Sequence, residues 1–244
     1  MITRPPASSQ PSGSFWPALV VLALTLGCAS TPSSRGLHQF DYFSEIGLGG
    51  EDDAWYPKVV EWQSRARREG TRLPSTERSL RSAEFSGQLQ NSMSAFRNSE
   101  RRELARRITD WSQRIARSHY RFDPGSNAAE YDRWPTVGEL LANNGDDCDG
   151  LDLIAYQLLR EFGFPPDQLF RAVVRRNRDQ ANHMVTLWFE DPEDPWILDA
   201  TGAVSVKFRR VSELEGWTPT KVFNERQQFT VSKRATGQPV AHNE

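Results

Sequence analysis

The segment from Cys148 to Phe162 carries Leu151, Ile154, Ala155, Leu158, Leu159 and Phe162 along one helical face, and Gly163 ends it. Strand-like sequence follows directly. After the Pro165-Pro166 turn, Phe170 to Arg175 (FRAVVR) reads as a strand. Met184 to Phe189 and Trp196 to Ala200 read as two more. The segment between them, Glu190-Asp191-Pro192-Glu193-Asp194-Pro195, must turn, because two prolines cannot sit in a ladder. Val204 to Phe208 is a fourth candidate strand. A helix followed by an antiparallel sheet is an α+β arrangement, and no internal repeat points elsewhere.

Upstream the pattern is helical. Ala54 to Gly70 places Trp55, Val59, Trp62 and Ala66 at helical spacing; Leu80 to Phe96 does the same with Leu89, Met93 and Phe96. Asn98 or Ser99 can cap a third helix carrying Leu104, Ile108, Trp111 and Ile115. Asp123-Pro124-Gly125 marks the change of pattern. With 37% hydrophobic residues and eight Trp in 244 residues, the chain can build a core. Charge is uneven: residues 55–125 hold 15 Lys/Arg against 8 Asp/Glu, and residues 126–199 hold 6 against 15. The formal charge is only −2, which argues against nucleic acid as a partner.

The first forty residues read as an export signal. Phe15 to Leu26 is apolar, long enough for the core of a signal peptide and shorter than the roughly 18 residues a spanning helix needs. It ends at Leu26-Gly27-Cys28-Ala29-Ser30, which resembles a bacterial lipoprotein signal with Cys28 as the lipidated residue. The alternative is an ordinary secretory signal cut near Ala29 or Ser30. The expected organisation is a signal over 1–28, a tether over 29–53 and a catalytic domain over 54–230. Within that domain 54–125 is a helical lead-in and 126–230 the core; residues 231–244 form a tail. Cys148 then has no disulfide partner in the mature chain, leaving a thiol in an exported protein.

Three residues carry candidate chemistry. Cys148 opens a helix, where backbone N–H groups and the helix dipole favour a thiolate. His183 opens one strand and Asp199 lies near the end of the next, so they suit a base and the group that orients it. Side chains alternate faces along strands, which makes the arrangement depend on register. Pairing Trp188 with Trp196 sets Val185 opposite Asp199 and leaves His183 diagonal to it; a one-residue shift puts Asp199 on the other face. The remaining histidines are less promising: His38 in the tether, His242 in the tail, and His119 near a helix end, where a cation is favoured.

The stretches GDDCDGLDLIAYQLLREFGF, NHMVTLWF and WILDAT together resemble the transglutaminase-like core of Cys, His and Asp. More narrowly they resemble the bacterial transglutaminase-like cysteine proteinases, which include periplasmic proteases that clip adhesins from the cell surface. That family places a W-x-T-P-x-E-F-L type segment before G-D-C-E-D. Here Trp134-Pro135-Thr136-Val137-Gly138-Glu139-Leu140-Leu141 precedes Gly145-Asp146-Asp147-Cys148-Asp149, and the likeness covers roughly 55–225. The resemblance implies a papain-like fold, with Cys148 as nucleophile, His183 as general base and acid, and Asp199 as the orienting carboxylate. It implies a cell-envelope cysteine peptidase acting on an envelope or surface protein; the lipoprotein-like signal separately predicts export and a periplasmic position at the outer membrane, held by lipid on Cys28. A crosslinking transglutaminase and a non-catalytic scaffold are the alternatives.

The chemistry requires no cofactor, but some family members bind calcium through acids flanking the nucleophile. Asp146, Asp147, Asp149 and Asp152 surround Cys148 here, and oxygen ligands suit calcium. The family commonly has two acids after its Cys, whereas this chain has Asp149 and then Gly150. The same acids also suit a helix N-terminus with no metal present.

Overall fold

The computed structural model describes residues 39–70, 87–89, 100–122 and 133–234. The expected signal, Cys28 and the Asp123-Pro124-Gly125 break lie outside these residues. Of the helix expected over Leu80 to Phe96, only 87–89 are described, and they are helical.

In chain order the elements are β1 (Phe40–Ser44), α1 (Tyr56–Glu69), α2 (Arg101–His119), α3 (Val137–Ala142), α4 (Cys148–Glu161), β2 (Leu169–Arg176), β3 (Asn182–Trp188), β4 (Trp196–Leu198), β5 (Arg209–Arg210), β6 (Trp217–Phe223) and β7 (Gln228–Lys233). The seven strands form one sheet in the order β1-β7-β6-β2-β3-β4-β5, and every neighbouring pair is antiparallel. The α+β class follows from this. Among the described residues, no helix is long and apolar enough to cross a membrane.

Alternation along the strands gives the sheet two apolar faces. Leu169, Val173, Met184, Trp188, Leu198 and Phe223 join the core built by the helices. Phe170, Ala172, Val174, Val185, Leu187 and Ile197 belong to a second cluster that includes Phe40 and Tyr42 of β1. α4 sits deepest. Every residue from Asp149 to Leu159 is buried, polar ones included, so this is a central helix rather than an amphipathic surface one. α2 turns Leu104, Ile108, Trp111 and Ile115 inward as its spacing predicts. Its N-cap is Glu100, in extended conformation; the candidates Asn98 and Ser99 lie outside the described residues.

Four details differ from the sequence reading. Phe40–Ser44, expected in the tether, is an edge strand that buries Phe40, Tyr42 and Ser44 in alternation. Residues 204–208 do not form a strand, because the Val204 and Ser205 N–H groups turn inward to the Asp199 carboxylate. β6, which the sequence reading did not include, carries Pro219 inside it. Pro219 is accommodated where the β2–β6 register shifts, which suits a residue with no N–H to give. β7 runs through residue 230 to Lys233, beyond the expected domain end.

Candidate active site

β3 and β4 pair Thr186 with Leu198, Leu187 with Ile197 and Trp188 with Trp196. This is the register that leaves His183 and Asp199 within reach of each other. His183 Nε2 lies 3.0 Å from Asp199 Oδ1; both are buried, at 8% and 1% exposure. The carboxylate can only accept, so Nε2 carries the hydrogen and Nδ1 remains to exchange a proton.

Asp199 is held from every side. Its Oδ1 accepts from the Thr201 and Gly202 N–H groups at 3.0 Å and from the Thr201 hydroxyl at 3.1 Å. Its Oδ2 accepts from the Val204 and Ser205 N–H groups. Gln113 of α2 donates to the backbone carbonyls of Asp199 and Ser205, fastening this loop to the helical layer. Burial works to raise the Asp199 carboxyl, yet the His183 hydrogen bond and charge, with the Val204 and Ser205 N–H groups, hold it below the usual carboxylate value. The acid therefore stays ionised beside the imidazole.

Cys148 is the first residue of α4, half-buried and reduced. The N-cap Asp147 accepts from the Asp149 N–H at 3.2 Å. The preceding turn is bound to the end of α2. Asp146 N–H donates to the His119 carbonyl at 3.1 Å, and Arg121 N–H to the Asp146 carbonyl at 3.0 Å. His119, expected near a helix end, is the last residue of α2 and is buried, its Nδ1 donating to the Asn144 carbonyl at 3.0 Å. Gly145 adopts a φ of 134°, and a Cβ there would stand 2.1 Å from the His119 carbonyl oxygen. The glycine in the nucleophile motif is therefore a requirement of close backbone approach.

The motif ahead of it is also structural. Thr136 and Glu139 form a reciprocal capping box that starts α3, and Glu139 pairs with Arg65 at 2.9 Å. Trp134 stacks between Trp55 and Phe223, with ring centroids 5.9 and 5.2 Å away.

The first turn of α4 is tied to the sheet. Asp152 accepts from Arg171 Nε of β2 at 2.9 Å and from the Thr186 hydroxyl of β3 at 2.7 Å. Burial pushes the Asp152 carboxyl up; Arg171, Thr186 and the charge of His183 oppose it. Trp217 lies against the His183 ring at 6.0 Å, with the Arg176 guanidinium 5.5 Å from the Trp217 ring centroid. Sequence reasoning missed Thr201, Thr186, Arg171 and Trp217. The legible signal was Arg171, a charge inside the apolar run FRAVVR.

Part of the acidic set around Cys148 is already engaged by the protein itself. Both Asp152 oxygens are committed, and Asp147 Oδ1 caps the helix. Among the described residues, no group of three or more His, Cys, Asp and Glu side chains is arranged to hold a metal ion. Gly150 explains the departure in the motif: a Cβ there would meet the Asp146 side chain at 2.3–2.7 Å, so that carboxylate already fills the space beside the helix.

No protein-family model matches the chain, and no curated protein matches it. Solved structures do. LapG of Legionella pneumophila is 21% identical, covering 71% of this chain and 85% of its own, with a TM-score of 0.52, and its EGTA-treated form gives the same values. The calcium-bound form is 19% identical over 75% of this chain and 94% of its own, again at 0.52. At about one residue in five identical, the likeness concerns the fold alone: this chain shares the α+β fold of LapG.

Proposed function

We propose that the protein is an exported cysteine peptidase of the transglutaminase-like type, cleaving a protein of the cell envelope through a Cys148-His183-Asp199 acyl-enzyme. The observation that carries the reading is the His183 Nε2–Asp199 bond, which makes Nδ1 the nitrogen able to exchange a proton. The LapG-like fold and the Cys148 position at a helix N-terminus support it.

In the reaction, His183 takes the Cys148 proton and Sγ attacks the peptide carbonyl, with the Cys148 N–H as one oxyanion donor. The C–N bond breaks as His183 returns the proton to the leaving amine. Water, deprotonated by His183, then hydrolyses the thioester and regenerates the thiol. Asp199 keeps the imidazole oriented and stabilises its cation throughout.

The lipobox-like segment ending at Cys28 supports export and a lipid anchor facing the periplasm, which would restrict substrates to membrane-proximal proteins. The test is incubation of the purified protein and its Cys148→Ala variant with envelope proteins, followed by mapping of termini. New amino termini in the first sample alone support the peptidase. Crosslinks with ammonia release would make it a transglutaminase, and no change with an unreactive Cys148 would leave a scaffold.

A further inference from the structure

Arg171 and Asp152 are both fully buried, their side chains 0% exposed, and they meet directly beneath the first turn of α4. Such a pair is an expensive way to join a helix to a sheet. Desolvating two charges costs several kcal/mol in effective terms, and apolar residues of similar volume commonly hold a fold as well or better. The contacts of this pair are all directed at one place. Arg171 Nη2 donates to the backbone carbonyl of Asp149, next to Cys148, at 2.6 Å, and Nε donates to Asp152, one turn on. The second Asp152 oxygen takes the hydroxyl of Thr186, three residues beyond His183 on β3. Arg171 itself pairs across the sheet with Thr186, closing a ring of β2, α4 and β3.

The guanidinium is seated in an aromatic box, 4.9 Å from the Trp62 ring centroid, 5.5 Å from Phe223 and 6.0 Å from Trp134. Its Nη1 is buried and has no hydrogen-bond acceptor among the described residues. The rings take that face of the cation, so the planar fork is aimed only at the α4 turn. Lysine, with a point charge and no fork, cannot make both bonds at these angles.

We infer that Arg171, Asp152 and Thr186 form a positioning device that sets the nucleophile turn of α4 against the His183 end of β3. The inference rests on the Cys–His–Asp reading. Apolar packing lets a helix slide or rotate by fractions of an ångström at little cost, whereas directional bonds at fixed points do not. Misplacement by about 1 Å at a reacting pair can cost on the order of a hundredfold in rate.

The test replaces the device by apolar residues, as Arg171→Met, Asp152→Leu and Thr186→Val together, and reads the alkylation rate of Cys148 by iodoacetamide with His183 and with His183→Ala. In the parent, His183→Ala is expected to slow alkylation about tenfold. In the triple variant, still unfolding cooperatively, it is expected to change the rate less than about twofold, because the thiol and imidazole no longer meet. Equal slowing in both backgrounds overturns the inference, since a device that is only structural would leave the coupling intact. No effect of His183→Ala in the parent overturns the catalytic reading, and this inference with it. If the triple variant fails to fold, Thr186→Val alone decides. It removes only the α4–β3 bond; reduced coupling that Thr186→Ser restores supports the device, and unchanged coupling rejects it.

Discussion

The imidazole of His183 and the carboxylate of Asp199 meet at 3.0 Å across the β3–β4 hairpin, and that carboxylate accepts five further hydrogen bonds from its own loop. Asp199→Asn cannot satisfy this set, because an amide nitrogen must face either His183 or the Val204 and Ser205 N–H groups. The expected loss is about 1–3 kcal/mol of stability from buried unpaired donors. Turnover should fall by on the order of 10²–10⁴ as the imidazole loses its orientation. The sign with pH is fixed by the depressed carboxyl. Its contribution is present above the ordinary carboxylate value of about 4 and is lost as pH falls through the lower folded value. Acid unfolding curves of the two proteins should therefore converge at low pH.

Cys148→Ala and Cys148→Ser should abolish peptide hydrolysis and leave the melting temperature nearly unchanged, because the side chain is small and only half-buried. Retained hydrolysis in either variant would exclude Cys148 as the nucleophile. Mass spectrometry after iodoacetamide should place the label on Cys148, more slowly in His183→Ala.

Gly145→Ala and Gly150→Ala should each destabilise the protein by about 1–3 kcal/mol, through backbone strain and overpacking. At Gly145 the obstacle is the His119 carbonyl; at Gly150 it is the Asp146 side chain from its Cβ outward. Thermal melting measures both. A neutral Gly150→Ala would mean that the Asp146 side chain moves freely.

Tyr42 is buried, and that burial, with the charges of Asp194 and Glu193 added and Arg234 opposing, raises its hydroxyl far above the usual value. The unfolded chain releases this proton near pH 10 and the folded one does not. Stability should fall above that point by up to about 1.4 kcal/mol per pH unit for this group. Tyr42→Phe should flatten the alkaline limb of the stability curve. An unchanged limb would mean the hydroxyl ionises in the folded state.

Cys28→Ser should convert a membrane-bound protein into a soluble periplasmic one or an uncleaved precursor, with the purified activity unchanged. Fractionation with the parent wholly soluble would replace the lipid anchor by ordinary secretion.

Helix spacing in Leu104–Ile115 and Leu151–Phe162, the strands FRAVVR and MVTLWF, and the α+β class were legible because hydrophobic period is a local property of the chain. The β3–β4 register was legible for a related reason: a short Pro-bounded turn and alternating faces leave few ways to pair Trp188 with Trp196. What decided the rest is distant in sequence. β1 joins the sheet only because β7 stands beside it, and β6 tolerates Pro219 only because the β2 register shifts there. His119 reads only as a histidine near a helix end until the Asn144–Asp146 turn folds against it. The acids around Cys148 read as one cluster, yet tertiary contacts separate their roles. Asp147 caps the helix, Asp146 fills the space above Gly150, and Asp152 is consumed by Arg171 and Thr186. Sequence alone determined which residue types could do the chemistry and which elements carry them. The tertiary structure decided which charges are desolvated and paired, because burial and partner geometry depend on residues far apart along the chain.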